Sequence, residues 1–280
     1  MPLIAPIYGF QITKPITIGS AIIRPRTADH RTAEKWSRDQ STYHLTGVLV
    51  AETATDEFLF NFEAGLAFIE RLDVLVGEVV PLDGDDPFLQ FDATLNTHRR
   101  SDGGGAMIGI DTLFPSSREI FLQKLLQRLE DVSFCETTQF KQLFFKCVEQ
   151  FRQRRQFVEV SYFFLFSGLE TFARAVQNDR DLSAARPISR LLNNYGFDVS
   201  IDRPNDLIRA VSTYAHLRNA LFHNSEFVAE VNFNGNLVKL KMFDYLFNLT
   251  QLANLVVLKA IDFDDQHINW NSWVDRQPFK

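Results

Sequence analysis

The sequence predicts an α+β fold: a β-rich N-terminal domain, residues 1–115, precedes an all-α helical bundle, residues 116–265, into which a small β-hairpin is set. Three observations predict this. Before residue 115 the apolar residues alternate in short segments, the period of a half-buried strand. After it they recur every three or four residues, the period of an amphipathic helix. Lastly, Glu230 to Met242 alternates around Asn234-Gly235, a dipeptide suited to the positive φ angles of a two-residue hairpin turn.

In order along the chain, strands are expected over Pro15–Arg24, Tyr43–Ala51, Phe88–Leu95 and Ala106–Asp111. Turns are expected at Pro81–Pro87 and Ser101–Gly105, where Gly, Pro and Asp cluster. Between Glu63 and Val80 the pattern fits a helix followed by a strand, or a helix alone. Ser116 or Ser117 suits the N-cap of a helix through Leu129, because a hydroxyl there can accept from an amide that has no partner within the helix. Glu119 then falls in the first turn. A second helix is expected over Gln139–Arg154 and a third over Val158–Val176, with Val158, Tyr162, Leu165, Leu169, Phe172 and Val176 aligned. A shorter helix follows over Ser183–Asn194, ended by Tyr195-Gly196, and another runs over Asn205–Phe222. A last apolar helix runs from Phe243 to Ile261. The tail, residues 266–280, is polar but holds Trp270 and Trp273, so it is expected to pack on the surface or on a partner.

Composition narrows the function. The 27 Phe imply a tightly packed interior and leave a few candidates for stacking on bases. A net charge of −6 argues against a protein that coats nucleic acid non-specifically, although it allows a small catalytic pocket on an acidic body. Lys141, Lys146, Arg152, Arg154 and Arg155 form the one basic cluster. It reads either as a solvated helix face or as a rail for an RNA backbone. Cys135 and Cys147 are too few and too far apart for a zinc site, and Cys147 falls on an apolar helix face. No metal site and no cofactor is expected. Asp262, Asp264 and Asp265 lack the glycine and distal Glu of a calcium loop. The run Gly103-Gly104-Gly105 lacks the Gly-Lys-Ser/Thr of a phosphate loop. No Gly-x-Ser-x-Gly elbow is present. Without a basic, apolar leader or a stretch of about 18 apolar residues, the sequence predicts neither a signal peptide nor a membrane helix, and a reducing cytoplasm fits best.

The most informative segment is Arg218-Asn219-Ala220-Leu221-Phe222-His223. On a helical wheel Leu207, Val211, Tyr214, Ala215, Arg218 and Phe222 fall on one stripe, expected to face the core or a partner. A guanidinium within such a stripe persists only with a partner or a job. Ser212, His216, Asn219 and His223 form a polar edge about 100° round the helix. Arg218 and His223 are therefore expected near one cavity, with Tyr214 and His216 as further RNA contacts. RNA can be cut without metal when the 2′-hydroxyl attacks the adjacent phosphorus. That step needs a base, an acid and positive charge on the phosphoryl oxygens, roles suited to imidazole and guanidinium.

Arg218-Asn219 through His223 resembles the RNxxxH signature of the HEPN superfamily, and of its Apea-like branch in particular. Ser161-Tyr-Phe-Phe-Leu-Phe-Ser-Gly-Leu-Glu170 resembles that family's helix ending in Leu-Glu, and Arg186-Pro-Ile-Ser-Arg-Leu-Leu192 its short intervening helix. Ile16–Arg24 is similar to the strand that opens many Apea-like proteins. The main likeness covers about Phe134 to Ile261. It implies an HEPN-like bundle, a metal-independent endoribonuclease serving in antiviral defence or as a toxin, and a homodimer that brings two Arg/His sets together across a two-fold axis. Arg218, His223, Asn219 and Glu170 are the implied catalytic set, Glu170 orienting Arg218 or Asn219. A regulatory partner or trigger goes with such a role. The alternatives are a non-catalytic HEPN module binding RNA, a nucleotide or a partner protein, and a sensor or inhibitor subunit that needs a partner chain. A Glu170–Arg218 pair that only holds two helices together fits the same residues.

Overall fold

The computed structural model describes residues 1–96, 105–153, 157–180, 183–233 and 235–280 of the chain. These form two units. The first comprises Met1–Glu130 with Phe151–Arg155, the second Asp131–Gln150 with Gln156–Lys280. A β-rich region followed by helices makes the fold α+β.

The first unit is built on an antiparallel sheet. Its central strand β1 (Leu3–Tyr8) is a continuous apolar run, buried on both faces, so it lacks the alternation by which a strand is recognised. Strand β4 (Tyr43–Ala51) lies along it, with Leu3 opposite Ala51 and Ile7 opposite Gly47. The register then shifts, and Thr46 fills the irregularity: its Oγ1 donates to the Ile7 carbonyl at 3.3 Å and accepts from the Phe10 amide at 3.2 Å. The segment Pro15–Arg24 is two strands, β2 (Ile16–Ile18) and β3 (Ala21–Pro25), reversed at Gly19, whose φ of +58° favours glycine. Strands β5 (Leu75–Val76) and β6 (Val80–Pro81) share the other flank of β1, and β7 (Thr94–Leu95) pairs with the start of β4.

Three helices accompany the sheet. Helix α1 (His30–Arg38) is capped by Asp29, and α2 (Asp56–Glu70) by Thr55, each accepting from an amide of the first turn. Helix α3 (Ser117–Glu130) packs on α2 at Gly65, where an added Cβ would meet Leu125 Cδ2 at 3.0 Å.

Several expectations change here. Phe88–Leu95 is not a continuous strand: a 3₁₀ turn at Pro87–Gln90, started by the proline's fixed φ, precedes the two residues of β7. Ala106–Asp111 forms no strand. The Met107 amide instead donates to the Ile69 carbonyl at 2.7 Å, and the guanidinium of Arg118 donates to the carbonyls of Ile108 and Gly109. The buried Arg118 also pairs with the buried Glu70 at 2.8 Å. Helix α3 thereby belongs to the first unit, and the division falls after Glu130 instead of at 115. The expected turn at Ser101–Gly105 lies outside the described residues, Gly105 excepted.

The second unit contains α4 (Val132–Thr138), α5 (Phe140–Arg152, whose last residues fall in the first unit), α6 (Val158–Gln177), α7 (Ala185–Asn194), α8 (Val211–Asn224), the hairpin β8 (Val228–Phe233) and β9 (Asn236–Lys241), α9 (Met242–Ala260) and α10 (Ser272–Asp275). Helix α6 packs on α4, α7, α8 and α9. Helix α8 starts at Val211, not at Asn205. The amides of Val211 and Ser212 donate to the carbonyls of Ser200 and Ile201 at 2.9 Å, so the preceding loop is held by distant pairing. The tail is no appendage, because Trp273 is buried against α9 and its carbonyl accepts from Asn248 Nδ2 at 2.6 Å.

Candidate functional site

Helices α6 and α8 are pinned through a buried bond: the Tyr162 hydroxyl donates to the Tyr214 carbonyl at 3.0 Å. Burial pushes the Tyr162 phenol well above its ordinary range. The buried stripe of α8 is Val211, Tyr214, Leu217 and Ala220, with Ser212 and Thr213 beside it. Arg218 therefore lies at the margin of the core, its side chain 32% exposed.

Three sets of contacts fix that guanidinium. Its Nη2 meets Glu170 Oε2 at 3.4 Å, while Arg174 binds Glu170 Oε1 at 2.8 Å from the same helix. Its Nη1 donates to Asn219 Oδ1 at 3.0 Å. Its carbon centre stands 5.1 Å from the Phe222 ring and 5.8 Å from that of Phe166, both within reach of a cation–π attraction. Phe222 in turn contacts Phe163 of α6, ring centres 5.0 Å apart.

The imidazoles face elsewhere. His216, Asn219 and His223 line an open groove of about 840 Å³ whose other wall is the hairpin, including Val228, Glu230, Lys239 and Lys241. Positions 216, 219 and 223 are three and four residues apart, so they form one stripe of the helix. Arg218 is not among the residues lining this groove. Asn219 joins the two sides: its oxygen is held by Arg218 while the residue itself lines the groove. Lys239 Nζ pairs with Glu230 Oε1 across the hairpin at 2.9 Å, which raises the lysine's pKa.

The other candidates are dispersed. Tyr214 is buried, its hydroxyl donates to the Ile208 carbonyl at 2.9 Å, and burial raises its pKa; it is a core residue that no RNA base can reach. Lys146 donates to Ser167 Oγ at 3.0 Å, and burial lowers its pKa. Lys141 sits half-buried in the first turn of α5. Arg152 belongs to the first unit, where it pairs with Glu63 at 2.8 Å, and Arg154 and Arg155 lie outside the described residues. Lys239 and Lys241, which do line the groove, were detectable as alternate residues of a predicted strand, one side of which must face away from the core. Among the described residues, no three His, Cys, Asp or Glu side chains are grouped to hold a metal ion. Asp264 and Asp265 accept from backbone amides of the following turn. Both cysteines are buried thiols outside any disulfide among the described residues, and burial raises the Cys147 pKa.

Among the described residues no helix is long and apolar enough to cross a membrane. Compared with protein-family models, curated proteins and solved structures, the chain matches none.

Proposed function

We propose that this chain is an endoribonuclease of the HEPN type, cutting RNA without a metal ion through attack of the 2′-hydroxyl. The observation that carries the reading is the α8 stripe: His223 and Asn219 line an open groove, and Asn219 is tied to an Arg218 that Glu170 holds in place. The resemblance of Arg218–His223 and of the Glu170 helix to HEPN sequences points the same way. An imidazole changes charge near neutrality and can take or give a proton, a contribution of roughly 10²–10⁴-fold. With its oxygen fixed by Arg218, Asn219 keeps its amide N–H groups for a phosphoryl oxygen. Arg218 acts on the groove as a positioning residue and as a fixed positive charge beside it.

The same reading carries a homodimer. Phe222 and Phe163, 48% and 37% exposed beside Arg218, form an aromatic face suited to a second copy. A defence or toxin role follows, in which a trigger or a regulatory partner releases the activity.

The test is incubation of purified protein with single-stranded RNA in EDTA. The wild type should leave 2′,3′-cyclic phosphate ends, His223→Ala should lose about 10²-fold or more, and Arg218→Ala should fall with it. Equal cleavage by all three overturns the assignment. One observation favours a second reading: the shared Glu170–Arg174–Arg218 ion pairs give Arg218 a structural task, as a non-catalytic binding module requires. RNA that is bound but left uncut would decide for that reading.

A further inference from the structure

We infer that one chain supplies both proton-transfer groups of the reaction, His223 and His216, and that Lys241 and Lys239 of the hairpin bind the phosphate between them. This rests on the endoribonuclease reading and says how its groove works.

Cleavage moves two protons. The O2′–P bond forms as the 2′-hydroxyl gives its proton to a base, and the P–O5′ bond breaks as an acid protonates the leaving oxygen. A single imidazole cannot be base and acid in the same step. His216 and His223 are seven residues apart, so at 100° per residue their side chains leave the helix only about 20° apart, roughly 10.5 Å along its axis. Both line the same groove, with Asn219 between them. Two rings that project the same way at that spacing flank a phosphodiester instead of touching each other.

The facing wall supplies the charge. Val228 pairs with Lys241 and Glu230 with Lys239 in the hairpin register, and all four line the groove. Ala229 and Val231 of the same strand also line the groove, and Leu240, opposite Ala229 in the register, is buried. Lys239 is neutralised by Glu230 at 2.9 Å, whereas Lys241 has no ion pair among the described residues. Lys241 is therefore the ready cation, and the charge of Lys239 becomes available when a phosphate displaces Glu230. The charged and titratable groups facing the two imidazoles are Glu226, Glu230, Lys239 and Lys241, with Asn219 and Asn224 as neutral donors.

The test measures kcat and KM for a short single-stranded RNA across pH, in variants with unchanged melting temperatures. The wild type should give a bell-shaped profile. His216→Ala and the non-titrating His216→Gln should each lower kcat about 10²-fold or more and flatten one limb of the bell, His223→Ala the other. The double variant Lys239→Ala/Lys241→Ala should raise KM about tenfold, lower kcat as well because these charges meet the reacting phosphoryl oxygens, and reduce the slope of log affinity against log salt by about 1.4. Mixing His216→Ala with His223→Ala protein should restore nothing. Wild-type kcat and both limbs in His216→Gln overturn the inference while the ribonuclease reading stands, as does recovery on mixing, which would mean that the two imidazoles come from different chains. A wild type that cuts no RNA overturns both.

Discussion

Asp39 takes a hydrogen bond from His44 at 2.9 Å and further bonds from the Ser41 and Thr42 amides and the Ser41 hydroxyl, and His44 stacks on Trp36. These donors, His44 first, hold the Asp39 carboxyl well below the usual carboxylate range. A carboxyl whose folded pKa is lowered stabilises the fold above its unfolded pKa, and that contribution is lost as pH falls through the folded value. Asp39→Asn should therefore melt below wild type at neutral pH, and the gap should close as the pH is taken below about 4. A gap unchanged down to acid pH would remove the ionic contribution. Tyr162→Phe is the neutral counterpart. It deletes one buried bond between α6 and α8, so a loss of about 1 kcal/mol by denaturant unfolding is expected, with no dependence on pH between 5 and 8. Residue types at the site were legible: Arg218 does meet Glu170, and the imidazoles do share a stripe. Direction was not, since a wheel drawn from Leu207 rotates the buried face toward Arg218, whereas Thr213, Leu217 and Ala220 occupy it.

Helix packing sets the next scale. Gly168 of α6 lies against α5, and a Cβ added there would stand 3.3 Å from Leu143 Cα, a backbone atom with little freedom to move. Gly168→Val should destabilise the second unit by about 1–3 kcal/mol through overpacking, read as a lower denaturant midpoint at constant slope. Gly109 shows a tighter case, since the space a Cβ needs is filled by the Phe114 ring. Long amphipathic helices such as α6 were legible because their packing repeats every turn. The start of α8 was not. Leu207 and Ile208 continue the helical period, yet Ser200 and Ile201 bind the backbone of Arg209 to Ser212, a pairing that local periodicity does not report. Strand β1 escaped for the opposite reason, being buried on both faces and so apolar at nearly every position.

Across the whole molecule, chain order and unit order differ. Phe151 meets the Phe68 ring edge-on at 6.4 Å and lies under the Arg71 guanidinium at 5.8 Å, while Arg152 pairs with Glu63, whose carboxyl burial pushes up in spite of that pair. These contacts belong to the first unit although their residues end a helix begun in the second. Phe151→Ala should cost about 3–5 kcal/mol, and hydrogen exchange should speed up in α2. Unchanged protection of α2 would separate Phe151 from that core.

A unit assembled from two stretches of chain cannot be transplanted by one splice. A chimera joined between Glu130 and Asp131 would carry Phe68, Arg71 and Glu63 into a new protein without Phe151 and Arg152. Recombination that keeps the β-rich unit whole and replaces all of the other must cross over three times, after residues 130, 150 and 155, so the two units of this chain are inherited most readily together.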